Sequence, residues 1–157
     1  MKVIFLDIDG VLITRNSVKY QYLYHPKDDN IRFSRKAVKN LNYLIKKTGA
    51  KIVISSTWRL LYTIEELDKK FREQGIKGEI ISHTSIAKFS TEEDTPRGQK
   101  IAEWIALNPE LKSYVIIDDD AKTDCIQFHP YNCVETSYKN GFASEEKLKE
   151  ALQILAG

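Results

Sequence analysis

Lys2-Val3-Ile4-Phe5-Leu6-Asp7-Ile8-Asp9-Gly10 runs from an unbroken apolar stretch into two aspartates and a glycine. An apolar run with β-branched members and no polar alternation reads as a strand buried on both faces. Ligands in parallel α/β sheets bind beyond the carboxyl ends of the strands, so Asp7 and Asp9 fall where chemistry is expected. Side chains alternate along an extended chain, which turns Asp7 and Asp9 to the same side with Ile8 opposed. Two like charges that close require a cation or a shared proton.

The pattern recurs downstream. Lys51-Ile52-Val53-Ile54 stops on Ser55-Ser56-Thr57-Trp58-Arg59. Small hydroxyls can donate to phosphate oxygens, and a guanidinium can hold an anion bidentately; the same hydroxyls also suit a cap on the next segment. Tyr114-Val115-Ile116-Ile117 stops on Asp118-Asp119-Asp120, with Asp124 further on. Consecutive carboxylates repel strongly unless a hard cation sits among them, and Mg²⁺ takes one or two carboxylates together with water and phosphate oxygens. Asp120 also suits a solvated loop tip and Asp124 a helix start. Between these two runs lies Thr95-Pro96-Arg97-Gly98-Gln99-Lys100. Thr95 serves as an N-cap and Pro96 as a first-turn residue, with Ile101, Trp104 and Ile105 as the apolar stripe of the helix. A cation at a helix N-terminus opposes the helix dipole, so a nearby anion accounts for Arg97 or Lys100 there.

Taken in order, these segments resemble the motifs of the haloacid dehalogenase (HAD) superfamily, and within it the small HAD domains of RNA and DNA end repair. Asp7-Ile8-Asp9-Gly10-Val11-Leu12 resembles the first motif, the Ser55 to Arg59 segment the second, Arg97-Gly98 the basic third, and Asp118-Asp119 the acidic fourth. The resemblance implies that Asp7 attacks phosphorus and that Asp9 is the general acid and base. It implies a phosphate-binding hydroxyl at Ser55, with Ser56 the second choice, and a phosphate-binding cation at Arg97, with Lys100 the second choice. Arg59 would contact the rest of the substrate. Mg²⁺ would be held by Asp7, the backbone carbonyl of Asp9, and the Asp118-Asp119 pair, with Asp119 as the principal ligand.

The remaining sequence supplies scaffolding for an α/β, three-layer Rossmannoid domain with a central parallel sheet and helices on both faces. With 157 residues and 42% of them apolar, the chain reads as a single domain over residues 1–157. Ser34 to Lys47 reads as a helix with Ala37, Val38, Leu41, Leu44 and Ile45 inward and Gly49 past its end. A second helix opens on the capping box Thr63-x-x-Glu66 and closes at Gly75. Gly78 to Ser82 reads as a short strand and Ser144 as the cap of a last helix carrying Leu148, Ala151, Leu152 and Leu155, while Asn132 to Thr136, a short apolar run leading to Gly141-Phe142, resembles the last core strand and glycine-aromatic turn of HAD domains.

Composition narrows the function. The opening apolar run is short and ends in acids, unlike a secretory signal, and nothing approaches membrane-span length, so a cytoplasmic protein is expected. Cys125 and Cys133 lack metal or redox spacing, and His25, His83 and His129 are scattered. A net charge of +2 does not by itself announce nucleic acid.

The insert at 13–33 is too short for a large cap, and residues 60–95 are filled by a helix, a strand and a loop, so a minimal cap and an open site are expected. In the insert, Arg15, Lys19, Tyr20, Tyr22, Tyr24, His25 and Lys27 interleave cations and aromatics. That pattern suits either a surface that stacks bases and tracks phosphates or a small hairpin packed on the domain. The leading expectation is a Mg²⁺-dependent phosphohydrolase working through an aspartyl-phosphate on phosphorylated polynucleotide ends or nucleotides. A metal-dependent nuclease and a noncatalytic HAD-like binding module are the alternatives.

Overall fold

A computed structural model describes residues 1–86 and 95–156. Five parallel strands form one sheet in the order β3-β2-β1-β4-β5: β1 is Lys2–Leu6, β2 Lys51–Ile54, β3 Ile80–His83, β4 Ser113–Asp118 and β5 Cys133–Glu135. Parallel neighbours need crossover connections, and the helices supply them. They are α1 (Arg15–Tyr24), α2 (Arg35–Thr48), α3 (Ile64–Glu73), α4 (Arg97–Ala106), α5 (Ala121–Asp124) and α6 (Glu145–Ala156).

Strand alternation sorts the core into two layers. Ile4, Leu6, Ile52, Ile54, Val115 and Ile117 pack under α2, α3 and α6, against Leu41, Leu44, Leu67, Phe71, Ala151 and Leu155. Val3, Phe5, Val53 and Ile116 face the other way, onto Ile101 and Trp104 of α4 and onto Cys125. Burying both faces of the sheet explains why its strands read as continuous apolar runs. The Phe5 ring meets Trp104 and Tyr114 edge-on, at centroid distances of 5.4 and 5.8 Å, which locks α4 against the central strand.

Helix ends follow local chemistry. Ser34 caps α2, and Gly49 closes it in the left-handed conformation at φ 70°. Thr63 and Glu66 form the expected capping box of α3, and the hydroxyl of Ser144 accepts from Lys147 N at the start of α6. Two expectations are corrected. The helix that begins at Arg97 has Pro96, not Thr95, at its N-cap position, with no side-chain cap. The 13–33 insert contains no hairpin: Thr14 and Ser17 form a reciprocal capping box that starts α1, and Tyr20 and Tyr24 stack one helical turn apart at 4.9 Å.

The third strand runs to His83, beyond the expected end at Ser82. Part of the loop expected before residue 95, residues 87–94, lies outside the described residues. No helix among the described residues is long and apolar enough to cross a membrane.

Candidate active site

The backbone ladder continues one residue past the strand ends. Asp7 N donates to Ile117 O, Ser55 N to Leu6 O, and Thr84 N to Ile54 O. With Leu6 paired to Ile117 and Ile54, and Ile54 paired to His83, the next residues form one row across the sheet: Asp118, Asp7, Ser55, Thr84. Alternation gives Asp7 the facing of Phe5, Asp118 that of Ile116 and Ser55 that of Val53, toward the layer occupied by α4. The first residue of that helix is Arg97.

Arg97 Nη1 lies 2.6 Å from Asp118 Oδ2 and 3.2 Å from Asp7 Oδ2. The contact depends on close approach at the next residue. A Cβ on Gly98 would fall 2.8 Å from Asp124 O and 2.9 Å from Cys125 Cα, so a larger residue would lift the helix start away from the sheet. His129 secures the same point: its Nε2 lies 2.8 Å from Gly98 O and its Nδ1 2.7 Å from the Tyr114 hydroxyl. That gives this histidine a structural role.

Carboxylate oxygens of Asp7, Asp118 and Asp119 lie within 4.8 Å of one another. Asp7 is 4% exposed and Asp118 fully buried. Burial first, and the charge of Asp118 second, push Asp7 up to about 8 against the downward pull of Arg97. Asp119 is also raised, by burial and by Asp118 and Asp120, although its hydrogen bond to Asp7 opposes the shift. Burial pulls the Arg97 guanidinium down, but Asp118 and Asp7 outweigh it and the group stays charged.

With all three carboxylates ionised, the cluster carries two negative charges net of the guanidinium, the balance a divalent cation would meet. The donors are all hard oxygens, the set that suits Mg²⁺. Gly10 makes room for this arrangement: it sits at φ 78°, and a Cβ there would overlap the Asp119 carboxyl group. Thr136 Oγ1 donates to Gly10 O at 2.7 Å and pins the loop.

Asp9 stands apart. Its carboxylate is exposed, is not a member of the acidic cluster, and accepts from Trp58 Nε1 at 3.1 Å. The two serines of the second motif also separate. Ser56 Oγ accepts from Trp58 N at 3.2 Å and caps the 3₁₀ turn Thr57–Leu60. Ser55 Oγ is buried with no partner. A buried hydroxyl left unsatisfied costs about 1–3 kcal/mol unless a ligand engages it, so Ser55 offers this row a free donor.

Arg59, expected to contact the substrate, makes these contacts with the fold: the side chain is 4% exposed and donates to the carbonyls of Thr84, Ser55, Ser56 and Ser85 at 3.0–3.4 Å. It clamps the turn after β2 onto the end of β3. Lys100, one turn after Arg97, is buried and lines a cleft with Ser82, His83 and Glu103; the basic residue on the carboxylates is Arg97. Asp120 N donates to Asp118 Oδ1, and Asp124 ends α5 with its carboxyl raised, by burial first and by Asp118 and Asp120.

Two features here are not specified by the motifs. Trp58 touches Asp9 through its ring nitrogen, and Thr84 Oγ1 is a second buried hydroxyl with no partner. The available signals were an aromatic with a polar handle directly after the hydroxyl cluster, and a third apolar run ending on a hydroxyl.

A family model described as "HAD domain in Swiss Army Knife RNA repair proteins" matches residues 3–147. No curated protein and no solved structure matches the chain.

Proposed function

Since the chain belongs to the family of HAD domains found in Swiss Army Knife RNA repair proteins, we propose that it is a Mg²⁺-dependent phosphomonoester hydrolase that works through an aspartyl-phosphate on Asp7. Phosphorylated polynucleotide ends or nucleotides are its proposed substrates. The observation that carries this reading is the unpartnered Ser55 hydroxyl in the same row as Asp7, with a guanidinium held across both acids. A metal-dependent nuclease needs carboxylates and metal, but neither a nucleophilic carboxylate nor that hydroxyl.

Asp7 is the nucleophile. Arg97 holds its Oδ2 and so fixes its orientation toward phosphorus. An Asp7 oxygen bonds to phosphorus as the bond to the leaving oxygen breaks in line, and Asp9 gives its proton to that oxygen. Asp9 then takes a proton from water, the water oxygen attacks phosphorus, and the acyl-phosphate bond breaks to return Asp7. Ser55 donates to an oxygen of the transferring phosphoryl group, and Arg97 adds positive charge beside it. When bound by Asp7, Asp118, Asp119 and the Asp9 carbonyl, Mg²⁺ supplies the charge that lets two anions meet.

The test is phosphate release by wild type and Asp7→Asn, with Mg²⁺ and with EDTA. The panel spans nucleotides, sugar phosphates, phosphopeptides and oligonucleotides phosphorylated at the 3′ or 5′ end. Mg²⁺-dependent release, lost in the variant, with beryllofluoride trapped on Asp7 and no strand cleavage, is the expected result. Full activity in Asp7→Asn, or strand cleavage without phosphate release, overturns it.

A further inference from the structure

We propose that Trp58 is the positioning residue for Asp9: its indole N–H holds the carboxyl group in the orientation from which Asp9 serves the leaving oxygen. The assignment rests on the phosphohydrolase reading above and deepens it. Trp58 Nε1 lies 3.1 Å from Asp9 Oδ2. An indole nitrogen is a donor only. The Asp9 oxygen facing it is therefore engaged as an acceptor, which fixes the rotamer of the carboxyl group.

The indole is itself held in place. Its backbone N–H is taken by Ser56 Oγ, and its ring packs against Phe33 and Tyr62 at centroid distances of 6.1 and 5.6 Å. Its turn is anchored by Arg59, whose donors engage the carbonyls of Ser55 and Ser56. Asp9, by contrast, is exposed just past the end of β1. The hydrogen bond ties the exposed acid after β1 to the anchored turn after β2, which preorganises it. Trp58 also lines a cleft of about 250 Å³ together with Phe33, Tyr62 and Lys70.

Protonation of the leaving oxygen matters most when that oxygen is basic. Alkyl phosphates, including nucleotide and oligonucleotide ends, depend on it strongly, whereas p-nitrophenyl phosphate depends on it little. The experiment compares kcat/KM on these two ester types for wild type, Trp58→Phe, Asp9→Asn and the double variant. Trp58→Phe keeps an aromatic ring against Phe33 and Tyr62 but removes the donor. It is expected to lose about tenfold or more on the alkyl ester and less than about threefold on p-nitrophenyl phosphate, with KM little changed. The double variant should be no slower than Asp9→Asn. Leu148→Ala, which loosens the core under α6 and leaves the surroundings of Trp58 intact, should lower Tm and leave the ratio of the two esters as in wild type.

A second readout is independent of turnover. The protein has two tryptophans, and the indole of the other, Trp104, donates to Ser82 Oγ at 3.2 Å. In an ¹⁵N-labelled sample, Asp9→Ala should shift the Trp58 indole resonance upfield and leave that of Trp104 in place. Equal losses of Trp58→Phe on both esters, additive losses in the double variant, or an unmoved Trp58 resonance would each overturn the assignment alone. If wild type releases no phosphate from either ester, the phosphohydrolase reading falls and takes this assignment with it.

Discussion

Arg97 Nη1 sits 2.6 Å from Asp118 Oδ2, a contact between residues 21 positions apart that joins the first turn of α4 to the end of β4. The same nitrogen reaches Asp7 at 3.2 Å, so one guanidinium serves two buried acids. Removing it leaves both acids without their counter-charge. Arg97→Ala is expected to destabilise the protein by about 3–5 kcal/mol in EDTA, the usual cost of breaking a buried pair by one partner. Mg²⁺ should restore part of the loss, because it binds the same carboxylates. Denaturant melts with and without Mg²⁺ check this, and equal losses in the two conditions would count against the shared site.

Asp7 ties stability to pH. In the metal-free fold it holds its proton up to about pH 8, whereas in the unfolded chain it returns to the ordinary carboxylate range. Between those values the folded state binds more protons than the unfolded state, so stability falls as pH rises through this window. Tm in EDTA should therefore decline from about pH 5 to about pH 8. Asp7→Asn should flatten the decline, as should saturating Mg²⁺. An unchanged slope in the variant would show that another group governs it.

Ser55 and Ser56 should respond oppositely to alanine. Ser55→Ala removes a hydroxyl with no partner in the free protein, so stability should hold or rise, while kcat/KM falls by about 10²-fold for loss of one oxyanion donor. Ser56→Ala removes the cap of the 3₁₀ turn and should cost about 1 kcal/mol of stability with a smaller effect on turnover. Paired thermal melts and initial rates decide it.

Gly10→Ala should act on the metal site. The residue sits at φ 78°, and its new methyl would displace the Asp119 carboxyl group. Backbone strain costs of order 1 kcal/mol, and Mg²⁺ affinity should drop by about tenfold or more. Calorimetric titration of Mg²⁺ into wild type and variant measures this without substrate, and matching affinities would show that Asp119 is not a ligand.

Arg59→Ala should behave as a structural lesion. Its guanidinium binds backbone carbonyls of two loops, so the expected result is a marked fall in Tm and a loss in kcat as the Ser55 turn loosens. A substrate contact would instead raise KM and spare Tm. Chemical rescue by guanidinium would restore turnover in the first case.

The sequence by itself determined the elements and the acids. Apolar runs fixed β1, β2 and β4, and Ser34, Thr63 and Ser144 marked helix starts, because strand burial and capping are local and repeat at short range. Asp7, Ser55, Arg97 and Asp118 were legible for the same reason, each standing at the end or start of a recognisable element. Local signals are ambiguous at α1: its interleaved tyrosines and cations suit a base-stacking surface or a hairpin, and the Thr14–Ser17 capping box starts a helix there instead of the hairpin.

Only the tertiary structure decided who meets whom. Strand register set Asp118, Asp7, Ser55 and Thr84 in one row, and register pairs residues that lie far apart in the chain. It separated Ser55 from Ser56, turned Arg59 inward onto carbonyls, and brought Trp58 to Asp9. A side chain's partner depends on distances that packing sets, and residue type and spacing alone do not contain them.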